Sequence, residues 1–123
     1  MSASVRYMVT DVARSVAFYR DILGFKLDQQ MGDSFARMSR GDLVLWVSGP
    51  TSSANRPMPD GRQPEPGGWN RFVIEVADLD RVVADAKAAG AVFRNEILTG
   101  PGGQQVVVDD PDGNPVELFK ARR

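Results

Sequence analysis

Arginine, tryptophan and carboxylate side chains are the groups of this chain that could do chemistry, because the 123-residue sequence contains no cysteine and no histidine. Their absence excludes thiolate nucleophiles, disulfides and histidine acid–base catalysis. It also excludes zinc, iron or copper sites built from histidine or cysteine. Any metal ion would therefore need a site made of oxygen ligands.

Three arginines and both tryptophans suggest a site for a planar anion. Guanidinium groups favour carboxylate, phosphate or enolate oxygens, and flat indole faces attract planar or cationic groups. The alternative is that the tryptophans are core or dimer-interface residues and the arginines a solvated rim. The predicted ligand-binding residues are Arg6, Met8, Phe35, Arg37, Trp46, Trp69, Arg71 and Gln105. Val107, Glu117 and Phe119 complete the predicted cavity wall.

An internal repeat indicates which elements position these side chains. The segments 5–17 and 72–84 align at one constant offset, which places Asp11 on Asp78 and Arg14 on Arg81. In each copy an alternating apolar strand leads into a helix that the aspartate can cap. Alternation places Val5, Tyr7 and Val9 in the core, whereas Arg6 and Met8 lie on the opposite face.

Each half is predicted to be strand–helix–strand–strand–strand. The first helix spans residues 13–23, and the following strands span 25–30, 34–39 and 42–48. In the second half the strands after the helix span 91–98, 104–108 and 115–120. We therefore predict an α+β fold, a single domain over residues 1–123 with βαβββ modules at 1–48 and 69–123. Residues 49–68, rich in proline and glycine, form either a mobile connector or a pocket lid.

The segments Asp11–Phe25 and Asp110–Leu118 resemble signatures of the vicinal oxygen chelate superfamily. This superfamily includes glyoxalase I, extradiol dioxygenases, fosfomycin-modifying transferases and bleomycin-resistance proteins. The resemblance implies two βαβββ modules whose sheets form a curved mixed sheet around a cavity, with the helices outside. It also implies a homodimer.

Enzymes of that superfamily hold a divalent metal with histidine, glutamine or glutamate from the first and last strand of each module. Transferred by position, these sites fall on Ser4, Trp46 (or Leu45), Arg71 and Glu117. Only Glu117 is a good ligand, and one carboxylate does not hold a catalytic ion against water. We therefore expect no metal and no cofactor. Arg71 is instead expected to pair with Glu117, either as an arginine held ready for a ligand anion or as a replacement that merely fills the site.

The sequence leaves three functions open. The first is a metal-independent small-molecule-binding protein that holds a planar, anionic ligand in the cavity between the sheets. The second is a glyoxalase-like lyase or isomerase with Glu117 as the catalytic base. The third is a structural or regulatory protein with a vestigial cavity. The net charge of −1 argues against a nucleic-acid partner, the absence of a long apolar run argues against a membrane partner, and we expect a cytoplasmic protein.

Overall fold

A computed structural model describes residues 3–122 of the chain, and it confirms the α+β class. The chain divides into two compact units between Gly67 and Gly68. In the described part of each unit, one helix accompanies one mixed sheet, in the order strand, helix, strands. The predicted linker up to Gly67 therefore groups with the first unit. No helix among residues 3–122 is both long and apolar enough to cross a membrane.

The first unit is the predicted βαβββ module. In its sheet the strand order is β1-β4-β3-β2, with β1 and β4 parallel and the other pairs antiparallel. Its elements are β1 (Ser4–Met8), α1 (Val12–Asp21), β2 (Lys26–Met31), β3 (Phe35–Arg40) and β4 (Leu43–Ser48).

Helix α1 begins and ends at the signals found in the sequence. The Asp11 carboxylate accepts a hydrogen bond from the Arg14 backbone N–H at 3.0 Å, so the predicted N-cap is confirmed. At the other end the Phe25 N–H donates to the Tyr19 carbonyl at 2.9 Å, and Gly24 adopts a φ of 74°. This closing bond is the one that a left-handed glycine permits. The helix proper ends at Asp21, two residues before the predicted end.

Strand alternation separates a buried face from a polar face in the first sheet. Paired positions of neighbouring strands share a face, and Tyr7 pairs with Val47, which pairs in turn with Ala36. All three are buried. The alternate residues of each strand form the polar face. They include Arg6 and Trp46, as the sequence predicted.

The second unit repeats this plan with one interruption. Its elements are β5 (Phe72–Glu75), α2 (Leu79–Ala88), β6 (Val92–Phe93), β7 (Leu98–Gly100), β8 (Gly103–Asp109) and β9 (Pro115–Ala121). The strand order is β5-β9-β8-β6, and β7 pairs with β8. Asp78 caps α2 by accepting from the Arg81 N–H at 3.2 Å, again as predicted.

The single strand predicted over residues 91–98 is wrong, because the structure has β6 and β7 there with a break between them. At the break the Asn95 side-chain oxygen accepts the Val107 backbone N–H at 2.9 Å. A side-chain amide thus takes the place of a backbone carbonyl beside β8. The backbone is thereby released from regular pairing until β7 begins at Leu98.

Candidate ligand-binding site

Three of the predicted site residues form a row across the polar face of the first sheet. Arg6 of β1 pairs with Trp46 of β4, and Trp46 pairs with Arg37 of β3. In the next row Met8 pairs with Ser48, and Ser48 pairs with Phe35. The structure therefore brings together all five site residues predicted in this unit. It also supports the choice of Trp46 over Leu45, since Leu45 is on the buried face.

A pocket of about 330 Å³ lies over part of this face. Arg6, Phe35 and Trp46 line it, while Met8 and Arg37 are not among its lining residues. Its volume is at the lower end of the range of small-molecule sites. The other lining residues are Met31, Ser34, Thr51, Ser52 and Ser53.

Residues 51–53 of the predicted linker thus belong to the pocket wall. Two contacts hold this segment near β3: the Gly49 N–H donates to the Ser34 carbonyl at 2.8 Å, and the Ser34 and Thr51 hydroxyl oxygens lie 2.7 Å apart. The Ser52 side chain then caps a short 3₁₀ turn, Ser53–Asn55. The sequence predicted an irregular segment over residues 49–68 but not which part of it lines the pocket. Proline and glycine content does not specify where a chain folds back.

Arg6 is the cation among the residues that line this pocket, and no carboxylate within residues 3–122 compensates its charge. Its guanidinium carbon lies 4.8 Å from the centre of the Trp46 ring, and Phe35 meets the same ring edge-on at 5.8 Å. One guanidinium nitrogen donates to the Ser48 hydroxyl at 2.9 Å. Within residues 3–122 Arg6 has no carboxylate partner.

The other predicted arginines differ from Arg6 in this respect. Arg37 is 3.3 Å from an Asp28 carboxylate oxygen, and Arg71 is paired with Glu117. A guanidinium has five donors, and a carboxylate partner satisfies its charge as well as some of them. Of the three, Arg6 is therefore the one whose charge is open to an external anion.

The predicted Arg71–Glu117 contact is present in the second unit. Two Arg71 nitrogens approach the same oxygen: Nη2 is 2.8 Å and Nε 3.0 Å from Glu117 Oε1. A third nitrogen, Nη1, donates to the Trp69 carbonyl at 3.2 Å. Glu117 Oε2 makes no hydrogen bond with the rest of the described chain.

Gln105 lies on the same face of this sheet as Glu117, one row further along. It pairs with Phe119 of β9 on one side and with Leu98 of β7 on the other, whereas Val107 is the neighbour of Glu117. The second sheet therefore presents an ion pair bordered by apolar side chains, with one amide beside them.

Arg94 is a residue of this face that sequence reasoning missed. Its Nε donates to Asp109 at 2.6 Å, and its terminal nitrogens donate to the Gly68 and Gly113 carbonyls at 2.7 and 2.8 Å. Its guanidinium carbon also lies 4.6 Å from the centre of the Trp69 ring. The available signal was Arg94-Asn95, a polar pair that interrupts the apolar alternation of the predicted strand.

The four positions at which the superfamily's enzymes bind a metal do not provide a suitable donor set here. Trp46 offers only an N–H donor, Arg71 is a cation, and Ser4 offers a neutral hydroxyl. The remaining position, Glu117, already accepts a hydrogen bond from Arg71 Nε and forms an ion pair with the same guanidinium. The described residues also contain no group of three or more aspartates or glutamates close enough to hold an ion. These residues therefore do not fit a divalent metal.

Comparison with known proteins supplies the wider context. Residues 2–118 match the family described as the Glyoxalase/Bleomycin resistance protein/Dioxygenase superfamily. The protein YaeR of Escherichia coli (strain K12) is 32% identical over an alignment of 120 residues, and the match covers 94% of this chain and 92% of YaeR.

Two solved structures are similar over nearly the full length. The bleomycin-binding protein from bleomycin-producing Streptomyces verticillus, complexed with copper(II)-bleomycin, is 25% identical with a TM-score of 0.65, covering 99% of this chain and 97% of that one. TnmS3, an antibiotic binding protein from Streptomyces sp. CB03234, is 22% identical with a TM-score of 0.75, covering 99% and 96%. The second likeness concerns the fold alone.

Proposed function

The chain belongs to the glyoxalase/bleomycin resistance/dioxygenase superfamily, and we propose that it is a metal-independent binding protein for a small, planar, anionic molecule. The observation that carries the proposal is the Arg6 guanidinium, which is stacked on Trp46 inside a pocket and has no carboxylate partner in the described part of the chain. An anionic oxygen of the ligand pairs with Arg6, and its ring packs against the aromatic pair Trp46 and Phe35. Thr51 and Ser53 also line this pocket, and their hydroxyl groups are candidate partners for the ligand's polar edge.

One structural relative supports small-molecule binding in general. The Streptomyces verticillus protein binds copper(II)-bleomycin, a small molecule. Binding of this kind needs a shaped pocket and no catalytic group. Because the donor set around Glu117 does not fit a divalent ion, the proposed binding uses no metal and no cofactor. A cytoplasmic location and a homodimer remain predictions from the sequence and its resemblance.

The remaining predicted site residues are not among the lining residues of the Arg6 pocket. Met8 and Arg37 extend the polar face around the pocket, whereas Trp69, Arg71 and Gln105 are on the second unit. We assign the anion to Arg6 rather than to Arg37 or Arg71, since the latter two already have carboxylate partners.

The test compares Arg6→Gln with Arg37→Gln. Binding is followed through the indole N–H resonance of Trp46, assigned by its loss in Trp46→Phe, with a panel of planar aromatic carboxylates and phosphates that includes 2-naphthoate. Because a charge-assisted hydrogen bond contributes roughly 1.5–3 kcal/mol, Arg6→Gln is expected to weaken anion binding about tenfold or more. Arg37→Gln is the matched control, and we expect it to change affinity less than about threefold.

Two outcomes would contradict the proposal. One is that no planar anion of the panel moves the Trp46 resonance, which would favour the vestigial cavity. The other is that Arg6→Gln binds the anions as tightly as the parent protein, or that the parent protein binds the neutral 2-naphthamide as tightly as 2-naphthoate.

A second candidate function is a lyase or isomerase with Glu117 as the base. It is favoured by Glu117 Oε2, which has no hydrogen-bond partner within the described chain and could accept a proton. Its test is turnover of a planar enolisable substrate: Glu117→Gln must abolish the reaction. Full activity of that variant would eliminate Glu117 as the base.

A further inference from the structure

Trp69 is an exposed aromatic ring with a guanidinium group against one of its faces. Its relative exposure is 71%, the highest of the exposed large apolar residues in the described chain. A large exposed indole normally has rotational freedom, yet the Arg94 guanidinium lies 4.6 Å from its ring centre. Arg94 therefore covers one face of the indole, and the other face is open to solvent.

Arg94 cannot move with the ring, because each of its three nitrogens is held. Nε binds Asp109, and the two terminal nitrogens bind the backbone carbonyls of Gly68 and Gly113. The three acceptors come from the start of the unit, from the end of β8 and from the turn after it. The Arg94 side chain is largely buried. The Arg94 guanidinium is thus held in place against one face of an exposed ring.

We infer that Trp69 is a preorganised stacking surface for a planar aromatic ring, and that Arg94 is the positioning residue that maintains it. A ring already held in its binding orientation loses little entropy when a second ring stacks on it. The inference rests on residues of the second unit alone, and it does not depend on the proposed function.

The contacts of Arg94 also define the ligand's charge. Its charge is compensated by Asp109, so it offers no free anion-binding group of the kind that Arg6 offers. A guanidinium on one face of the indole also opposes the approach of a second cation to the other face. The surface therefore favours a neutral, electron-rich ring and disfavours a cationic one.

The experiment follows the Trp69 indole N–H resonance, assigned by its loss in Trp69→Phe. Three probes are titrated: planar neutral 2-naphthamide, planar cationic N-methylquinolinium, and non-planar cyclohexanecarboxamide. We expect 2-naphthamide to shift the resonance through its ring current, N-methylquinolinium to bind about threefold or more weakly than 2-naphthamide, and cyclohexanecarboxamide to have no effect. The Trp69 response should persist in Arg6→Gln, which would show that it does not need the Arg6 guanidinium.

The positioning role is tested with Arg94→Lys. Lysine keeps the charge, but one ammonium nitrogen cannot hold three acceptors and lie flat on the ring. The heteronuclear NOE of the Trp69 indole N–H should fall, and 2-naphthamide should bind several-fold more weakly. Arg81→Lys, on an exposed face of α2, is the matched control and should change neither quantity.

Three results would overturn the inference. They are an unmoved Trp69 resonance with 2-naphthamide, an equal response to the planar and the non-planar probe, and an unchanged NOE and affinity in Arg94→Lys. If Arg94→Lys does not fold, the titration of the unmodified protein still decides whether the stacking surface exists.

Discussion

Arg71 and Glu117 form an ion pair in which two guanidinium nitrogens converge on one carboxylate oxygen, at 2.8 and 3.0 Å. The resemblance to the superfamily's enzymes predicts metal ligands at these two positions. Here a cation of the protein itself binds Glu117. The pair therefore neutralises the Glu117 carboxylate without an external ion.

The first prediction concerns metal removal and addition. Because Arg71 already neutralises Glu117, dialysis against EDTA should leave the midpoint of thermal unfolding unchanged, and added Ni²⁺, Zn²⁺ or Mn²⁺ should not raise it. Differential scanning fluorimetry and elemental analysis of the purified protein are the measurements. A stoichiometric divalent ion whose removal lowers the midpoint would show that the pair does not replace the metal.

The second prediction concerns the turn between β8 and β9. Asp110 is buried, and its Oδ1 accepts the backbone N–H groups of Asp112 and Asn114, both at 2.9 Å. Asp110→Ala leaves these donors without that acceptor, and we expect a loss of about 3 kcal/mol in the free energy of unfolding.

Urea denaturation measures this loss, with Asp80→Ala as the control. Asp80 is exposed in the first turn of α2, so its removal should change stability by less than about 1 kcal/mol. Equal effects of the two substitutions would contradict a structural role for the Asp110 carboxylate.

The third prediction concerns the break between β6 and β7. Asn95→Ala removes the acceptor of the Val107 N–H, and an unsatisfied donor there should cost about 1–3 kcal/mol. Hydrogen exchange at the Val107 amide should accelerate correspondingly. Glu96→Ala, at an exposed neighbouring position, is the control, and an unaltered exchange rate at Val107 in Asn95→Ala would disprove the assignment.

The sequence alone was sufficient to predict most of the helices and strands. Alternation placed Trp46 and Arg6 on one face, and the structure pairs them across β4 and β1. Two aspartates predicted as caps accept the expected backbone N–H groups. These features depend on residues close in sequence or on strict strand periodicity, so they can be derived without knowing distant contacts.

The features that escaped prediction depend on partners far apart in the chain. Arg94 binds Gly68 and Gly113, 26 and 19 residues away, and no local pattern indicates those carbonyls. The pocket wall at residues 51–53 depends on where an irregular segment folds back onto β3. Asn95 interrupts a strand by side-chain chemistry that apolar periodicity does not register.

The fourth prediction concerns Gly103, at the start of β8. Its φ is 147°, and a β-carbon built there would lie 2.1 Å from the Lys120 carbonyl oxygen and 3.1 Å from the Arg122 backbone nitrogen. The backbones of β8 and β9 therefore approach too closely for any side chain. Gly103→Ala combines this overlap with an unfavourable φ, and we expect it to destabilise the protein by about 3 kcal/mol or more.

Gly102→Ala is the matched control for Gly103→Ala, because the two glycines are adjacent in the same hairpin. A β-carbon at Gly102 would meet only the Phe119 ring, at the ordinary contact distance of 3.8 Å. We expect this substitution to change stability by less than about 1 kcal/mol. Urea denaturation of both variants makes the comparison, and a Gly103→Ala protein as stable as Gly102→Ala would mean that β8 and β9 do not approach as closely as the register between Gly103 and Ala121 requires.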